Sequence, residues 1–312
     1  MNDLDSVKRL RRSTPTMTPQ AEQAARARLL AAMREPAPRR LPRRRPAWRP
    51  AIAAALTVVV GGTWVATREP VMTPVADVRE LSERAADAAE RSPDPGTRTG
   101  QWLYIKELKA AHDKYSGYGV STSKRVTWEQ WTSVDGKKVA SFDEKGRLDN
   151  QFTHPGIGAA QLAKEPVTPE TVLDRLRAVL APLNSAGGDP LPAMNELLFQ
   201  SIYQLMGEQA LPPEVRAALF RALPTIEGVT VIQDATDAGG RRGIAFSHTG
   251  DWARYDLILS SEDYRFLGTY GESVIDKTFT WTGGKADVPA GTPVTWTAQL
   301  ETALVNEPGQ RP

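Results

Sequence analysis

VTVIQDATDAGGRRGIAFSHTGDWARYDLILSSEDYRFLGTYGESV, residues 229–274, contains four strand-like runs separated by turn segments. Tyr255, Leu257 and Leu259 recur at every second position, and Phe266, Gly268 and Tyr270 repeat the spacing. A period of two places such residues on one face of a strand. ATDAGGR and SEDY supply the Asp, Gly and Ser that tight turns use. Strands joined this closely predict an antiparallel meander.

Upstream, the period changes. TPETVLDRLRAVLAPL opens with Thr168 as N-cap, Pro169 at the first helical position and Glu170 behind it, a helix-start pattern. AMNELLFQSIYQLM and PPEVRAALFRAL read as two more helices, and NSAGGDPLP as a loop. Before this block, QWLYIKEL is a strand apolar on both faces. KRVTWEQWTSVDGKKVASF is a hairpin turning at Asp135–Gly136. Early strands, an inserted helical block and a late meander predict an α+β domain over residues 100–305, with a curved, half-barrel-like antiparallel sheet covered by helices. The final residues, 306–312, read as a disordered tail. Residues 68–99 read as a juxtamembrane helix, with Val78, Leu81, Ala85 and Ala88 along one stripe, and the linker SPDPGTRTG.

The word juxtamembrane rests on RRLPRRRPAWRPAIAAALTVVVGGTWVATREP, residues 39–70. Residues 51–67 are uncharged and span roughly 25 Å as a helix, near the lower limit for crossing a bilayer. Ala51, Ile52, Leu56, Val58, Val59, Val60, Trp64 and Val65 form the expected membrane anchor. Arg39, Arg40, Arg43, Arg44, Arg45 and Arg49 precede it, whereas only Arg68 stands just after it. Basic residues stay on the cytoplasmic side, so the N-terminus is expected inside and the large domain outside the cell membrane. Trp48 and Trp64 suit the two interfaces. A cleavable signal peptide is disfavoured by the long stretch ahead of the apolar run.

Residues 1–50 form a basic tail with one short helix over about 18–35. Ala25, Leu29, Leu30 and Met33 make a narrow apolar stripe on it. The stripe fits either a partner protein's groove or the anionic inner leaflet. The Arg/Pro-rich stretch behind it is a linker. This tail holds 13 basic and 4 acidic residues, leaving 26 basic against 33 acidic for the rest of the 312-residue chain. The basic character therefore belongs to the tail, and the outer part offers nothing to nucleic acid.

No catalytic constellation emerges. Cysteine is absent, which removes thiolate chemistry, disulfides and Cys-ligated metals. His112, His154 and His248 lie far apart, with turn or surface positions expected for the last two. GIGAAQ at 156–161 lacks the third glycine of a dinucleotide loop and reads as a plain loop. Asp234, Asp237 and Asp251 would bind calcium only if their turns converged, and the same residues are what hairpin turns require. The expectation is a protein that is not an enzyme and has no cofactor or metal. Six tryptophans outside the anchor (102, 128, 131, 252, 281 and 296) either fill the core or line an apolar cavity for a lipid or peptide.

One stretch carries a resemblance. PPEVRAALFRALPTIEGVTVIQDATDAGGRRGIAF, residues 212–246, resembles a family of uncharacterised actinobacterial single-pass membrane proteins often encoded beside extracytoplasmic-function sigma factors. Asp237, Gly240, Arg241 and Gly243 fall on that family's Asp-x-x-Gly-Arg-x-Gly stretch, and AARARLLAAM and GQWLYIKE match its other segments. The resemblance implies an anti-sigma or accessory-sensor role acting through the N-terminal helix, and brings no catalytic residues. Known anti-sigma factors use several helices to wrap a sigma factor, and one major class binds zinc through His and Cys; this tail has one helix and no such pattern. The alternative expectation is a membrane-tethered module that binds lipid, peptide or envelope polymer without signalling.

Overall fold

The computed structural model describes residues 77–112, 119–143, 145–152, 157–182, 192–281 and 284–312. The expected cytoplasmic helix face (Ala25, Leu29, Leu30, Met33), the topology-setting arginines and the 51–67 anchor lie outside the described residues. Among the described residues no helix is long and apolar enough to cross a membrane.

The domain is α+β. A nine-stranded antiparallel sheet runs in the order β4-β3-β2-β1-β11-β8-β7-β6-β5, comprising β1 Trp102–His112, β2 Val120–Ser133, β3 Lys138–Phe142, β4 Leu148–Phe152, β5 Val229–Thr236, β6 Arg242–Thr249, β7 Ala253–Leu259, β8 Phe266–Ser273 and β11 Pro293–Val305. A separate hairpin, β9 Lys277–Trp281 with β10 Gly284–Val288, interrupts it. The meander β5–β8 forms as its alternation predicts, with Leu257 opposite Phe246 on β6 and Thr269 on β8.

β11, like β4, β9 and β10, is a strand that sequence periodicity does not announce. It lies between β1 and β8 and joins the two halves of the sheet, pairing Leu103 with Leu304 and Tyr270 with Trp296. Its exposure is mixed along most of its length, so no clean apolar alternation marks it. Val294, Thr295, Thr297 and Val305 were its available β-branched signal.

Helices cover one face of the meander. They are α1 Val78–Arg91, α2 Ala159–Leu162, α3 Pro169–Leu180, α4 Met194–Glu208 and α5 Pro213–Ala222. Thr168 caps α3 by accepting from the Thr171 N–H at 3.2 Å. Leu176, Leu198, Phe199, Ile202 and Leu219 pack against Ile244, Phe246, Leu257 and Leu259 in the main core. The opposite face keeps a smaller cluster of Ala235, Ala245, Ile258 and Leu267, as the two-residue period requires.

α1 belongs to this core. Asp77 caps it, and the face it buries is Leu81, Ser82, Ala85, Ala86 and Ala89, one step round from the expected stripe. Ser82 donates from Oγ to the Phe220 carbonyl at 2.7 Å, and Arg221 on α5 meets Glu83, Asp87 and Glu90 together. The Arg221 guanidinium holds Glu90 below its ordinary carboxylate range.

Three expectations change. GIGAAQ is not wholly loop: Gly158 caps α2, with the Gln161 side chain accepting from its N–H. The Asp135–Gly136 turn presses on this cap so closely that a Cβ on Gly136 would lie 2.4 Å from the Gly158 Cα. His248 is buried and stacks on Phe199 at 5.5 Å, because it falls on the core side of β6, and burial lowers its pKa. His154 lies outside the described residues.

The C-terminal residues, expected to fray, dock on β2. Trp131 is fully buried, and its indole N–H donates to the Gln310 carbonyl at 2.6 Å. Arg311 grips Glu129 through Nε at 2.8 Å and Nη2 at 2.6 Å, while Tyr104 donates to the same carboxylate. An indole donor and a carboxylate in need of partners are the physical reason for the order. Hydrogen bonds from Arg311 hold Glu129 down at about 2, and burial pushes Tyr104 up to about 12.

A depressed carboxylate stabilises the fold above its unfolded pKa and loses that contribution as pH falls toward the folded value. Arg311→Ala is therefore expected to raise the Glu129 pKa toward 4.5 in a carboxyl-detected NMR titration. It should lower stability at pH 7, with the gap from wild type narrowing below pH ~4.5.

Candidate functional site

A cleft of about 470 Å³ opens where α1, the α4–α5 corner and the strands β8 and β11 meet. Ala85, Ala88, Ala89 and Ser92 of α1 and its end form one wall, and Pro93 and Pro95 extend it. Met206 to Leu211, apart from Glu208, form the second wall. Phe266, Gln299 and Thr302 line the strand side, with Arg216 and Phe220 contributed by α5.

Arg241 fixes the geometry of the strand side. Asp237, fully buried, accepts from the N–H groups of Gly239 and Arg241, both at 2.9 Å, and from Arg241 Nε at 2.6 Å. Arg241 Nη2 then donates to the carbonyls of Leu267 on β8 and Gln299 on β11, each at 2.8 Å. The Ala238 N–H adds a bond to the Thr297 carbonyl at 3.1 Å. Gly240 takes a φ of +81°, and a Cβ on Gly243 would lie 2.1 Å from the Leu259 carbonyl oxygen. The Asp-x-x-Gly-Arg-x-Gly stretch is thus a structural clasp that draws the β5–β6 turn across to β11. On the next strand, Gln299 donates from Nε2 to the Gly207 carbonyl at 3.0 Å and joins β11 to the end of α4.

Two polar atoms in the cleft stay unsatisfied. Arg216 Nε and Gln209 Oε1 are buried without a hydrogen-bond partner. Desolvation lowers the Arg216 pKa, while Asp94 and Glu214 act electrostatically in the opposite sense. Sequence reading missed both residues. The signal available for Arg216 was its place beside Val215 and one turn before Phe220, on a helix side that is otherwise apolar.

The other charged clusters have their partners. On the far face of the sheet, a hollow of about 280 Å³ is lined by Ile258, Arg254, Asp256, Tyr270 and Trp296. There Ser247 donates to Asp256 at 2.6 Å, and Arg254 bridges Asp256 and Glu272. Burial raises the Asp256 pKa against both of these contacts. Glu196, also raised by burial, accepts from Gln200 and from the Asp251 N–H, tucked against Gly250.

The three aspartates weighed for calcium do not share a site. Asp234 pairs with Arg242, Asp237 with Arg241, and the Asp251 backbone binds Glu196. Among the described residues no group of three or more His, Cys, Asp or Glu side chains is placed to hold a metal ion. The tryptophans disperse as well. Trp131 packs with Tyr104 and Phe142, Trp252 with Phe279, and Trp296 with Tyr270 under the Arg125 guanidinium. None of them lines the larger cleft.

Comparison with protein-family models, curated proteins and solved structures finds no match to this chain.

Asp237→Asn is expected to cost about 2–3 kcal/mol in urea unfolding, somewhat under the fully buried case because Arg241 is partly exposed. Asp234→Asn, which breaks a solvent-facing pair, should leave the same measurement nearly unchanged. Equal losses from the two substitutions would show that the clasp is not what holds the turn.

Proposed function

We propose that this chain is a membrane-anchored sensor: a single span at 51–67 carries an extracytoplasmic domain that binds a ligand in the α1 cleft, and the N-terminal helix engages a cytoplasmic partner. The resemblance stated above makes that partner a sigma factor. The observation that carries the reading is the identity of one cleft wall. α1 is the first described element after the expected anchor, it is pinned to α5 through Arg221, and its residues face the cleft. A ligand seated there touches the segment leading toward the membrane.

The half-barrel shape of the sheet, the cytoplasmic N-terminus and the role of the Ala25, Leu29, Leu30 and Met33 face belong to the same proposal. So does a binding rather than catalytic chemistry, with no cofactor and no nucleic-acid partner. The alternative, a tethered binding module without output, uses the same cleft. Its lipid version has less support, because α3, α4 and α5 fill the sheet face with side chains such as Phe199, Ile202 and Leu219.

A pull-down from native membranes tests the output. Full-length protein is expected to recover a sigma factor, and protein lacking residues 1–35 is expected to lose it. Recovery with neither form would leave the tethered binding module as the function; recovery with both would move the contact out of the N-terminal helix.

A further inference from the structure

Among the described residues four buried side-chain polar atoms have no hydrogen-bond partner: Thr132 Oγ1, His248 Nδ1, Gln209 Oε1 and Arg216 Nε. The last two line one cleft. Leaving such an atom without a partner is costly, more so where the group is charged, and folded proteins keep few of them. A donor and an acceptor left open in one cleft are a specification for what should lie there.

The specification is narrow. The Arg216 guanidinium is desolvated and takes part in no salt bridge among the described residues, so it asks for an anion, and its planar fork matches a carboxylate. Gln209 Oε1 is an acceptor and asks for an N–H or O–H. The other two arginines of the cleft are engaged: Arg241 is held by Asp237, Leu267 and Gln299, and Arg265 pairs with Asp263. Apolar surface from Leu103, Met206 and Phe266 and the edges of Pro93 and Pro95 accompany the two open groups. The volume of about 470 Å³ falls within the roughly 300–1,000 Å³ of small-ligand pockets. An acyl chain would bury the guanidinium further without answering it. Inorganic phosphate would answer Arg216, and its remaining O–H could serve Gln209, but it would leave the apolar surface of Leu103, Met206 and Phe266 uncovered.

We propose that the cleft binds a ligand presenting a carboxylate beside an amide N–H, the pair carried by the C-terminal residue of a peptide, with the carboxylate on Arg216 and the N–H donated to Gln209 Oε1. This deepens the sensor reading and rests on it for the consequence of binding. Small carboxylic acids share half of the chemistry and are separated from peptides by the second hydrogen bond.

The test uses the full-length protein in detergent micelles, titrated calorimetrically with acetyl-Ala-Ala-Ala, with its C-terminal amide, with acetate and with inorganic phosphate. The free acid is expected to bind at least about tenfold more tightly than the amide, the range for a charged hydrogen bond. Arg216→Gln should erase that difference while leaving the melting temperature unchanged or higher, since no partner is lost. Gln209→Leu should weaken the peptide acid about tenfold and leave acetate unchanged. Equal binding of acid and amide, phosphate matching the peptide acid, or no peptide binding at about 10 mM would overturn the proposal. Hydrogen exchange on the same samples separates the two readings. Peptide binding without slower exchange in α1 would sink the sensing role and leave the ligand class standing. Failure of the peptide to bind would sink the ligand class and leave the pull-down result to decide the sensing role.

Discussion

The contact between Asp237 and Arg241 is the constraint on which the rest of the domain depends. A fully buried carboxylate inside a turn is costly, and it is tolerated here because three donors meet it within that turn. The cation it fixes then answers two carbonyls on β8 and β11, so one side chain sets the distance between the β5–β6 turn and the strand that joins the two half-sheets. Gly240 and Gly243 follow from the same geometry: the first supplies a left-handed turn residue, and the second lets the chain pass against the β7 backbone. The stretch that carries the sequence resemblance is explained by the architecture of a corner, and the cleft beside it is bordered by that corner.

The helix next to the expected membrane span is held differently. α1 buries small residues, three of them alanine, against α5 and adds a surface fan of three carboxylates around Arg221. Alanine faces allow close approach but contribute little apolar area per residue, and exposed ion pairs are individually weak. α1 is therefore attached by many modest contacts, the kind of joint that a ligand in the adjoining cleft can tighten or loosen by a small differential affinity.

Much of the fold was legible because its signals are local. The meander shows in the alternation of Tyr255, Leu257 and Leu259, and α3 in its Thr168–Pro169 start. What was not legible depends on partners distant in sequence. β11 is bordered by strands on both sides yet lacks alternation, so only its pairing with Leu103 and Tyr270 identifies it as a strand. His248 looked like a strand end and proved to be core because Phe199, on a helix, stacks on it. The tail looked free until Trp131 and Glu129 were placed beneath it. Arg216 and Gln209 come from neighbouring helix ends, but what leaves them open is the position of α1 and β11, which no local pattern encodes. Of the aspartates read as turn residues, Asp237 and Asp251 sit at turns while Asp234 lies within β5, and only the structure shows that Asp234 holds Arg242 and Asp237 holds Arg241.

The position of β11 also sets an order of events. Trp102 near the start of the domain pairs with Val305 near its end, and among the described residues the strand pairing between the β1–β4 half and the meander runs through β11. Pairings so remote in sequence carry a large chain-closure cost before they return any stabilisation, which slows folding. The β1–β4 half and the helix-covered meander can each begin to form as the chain emerges. They become one sheet only when residues 293–305 arrive, so a chain arrested before that point holds two half-sheets, each with the backbone of an inner strand bare along one side.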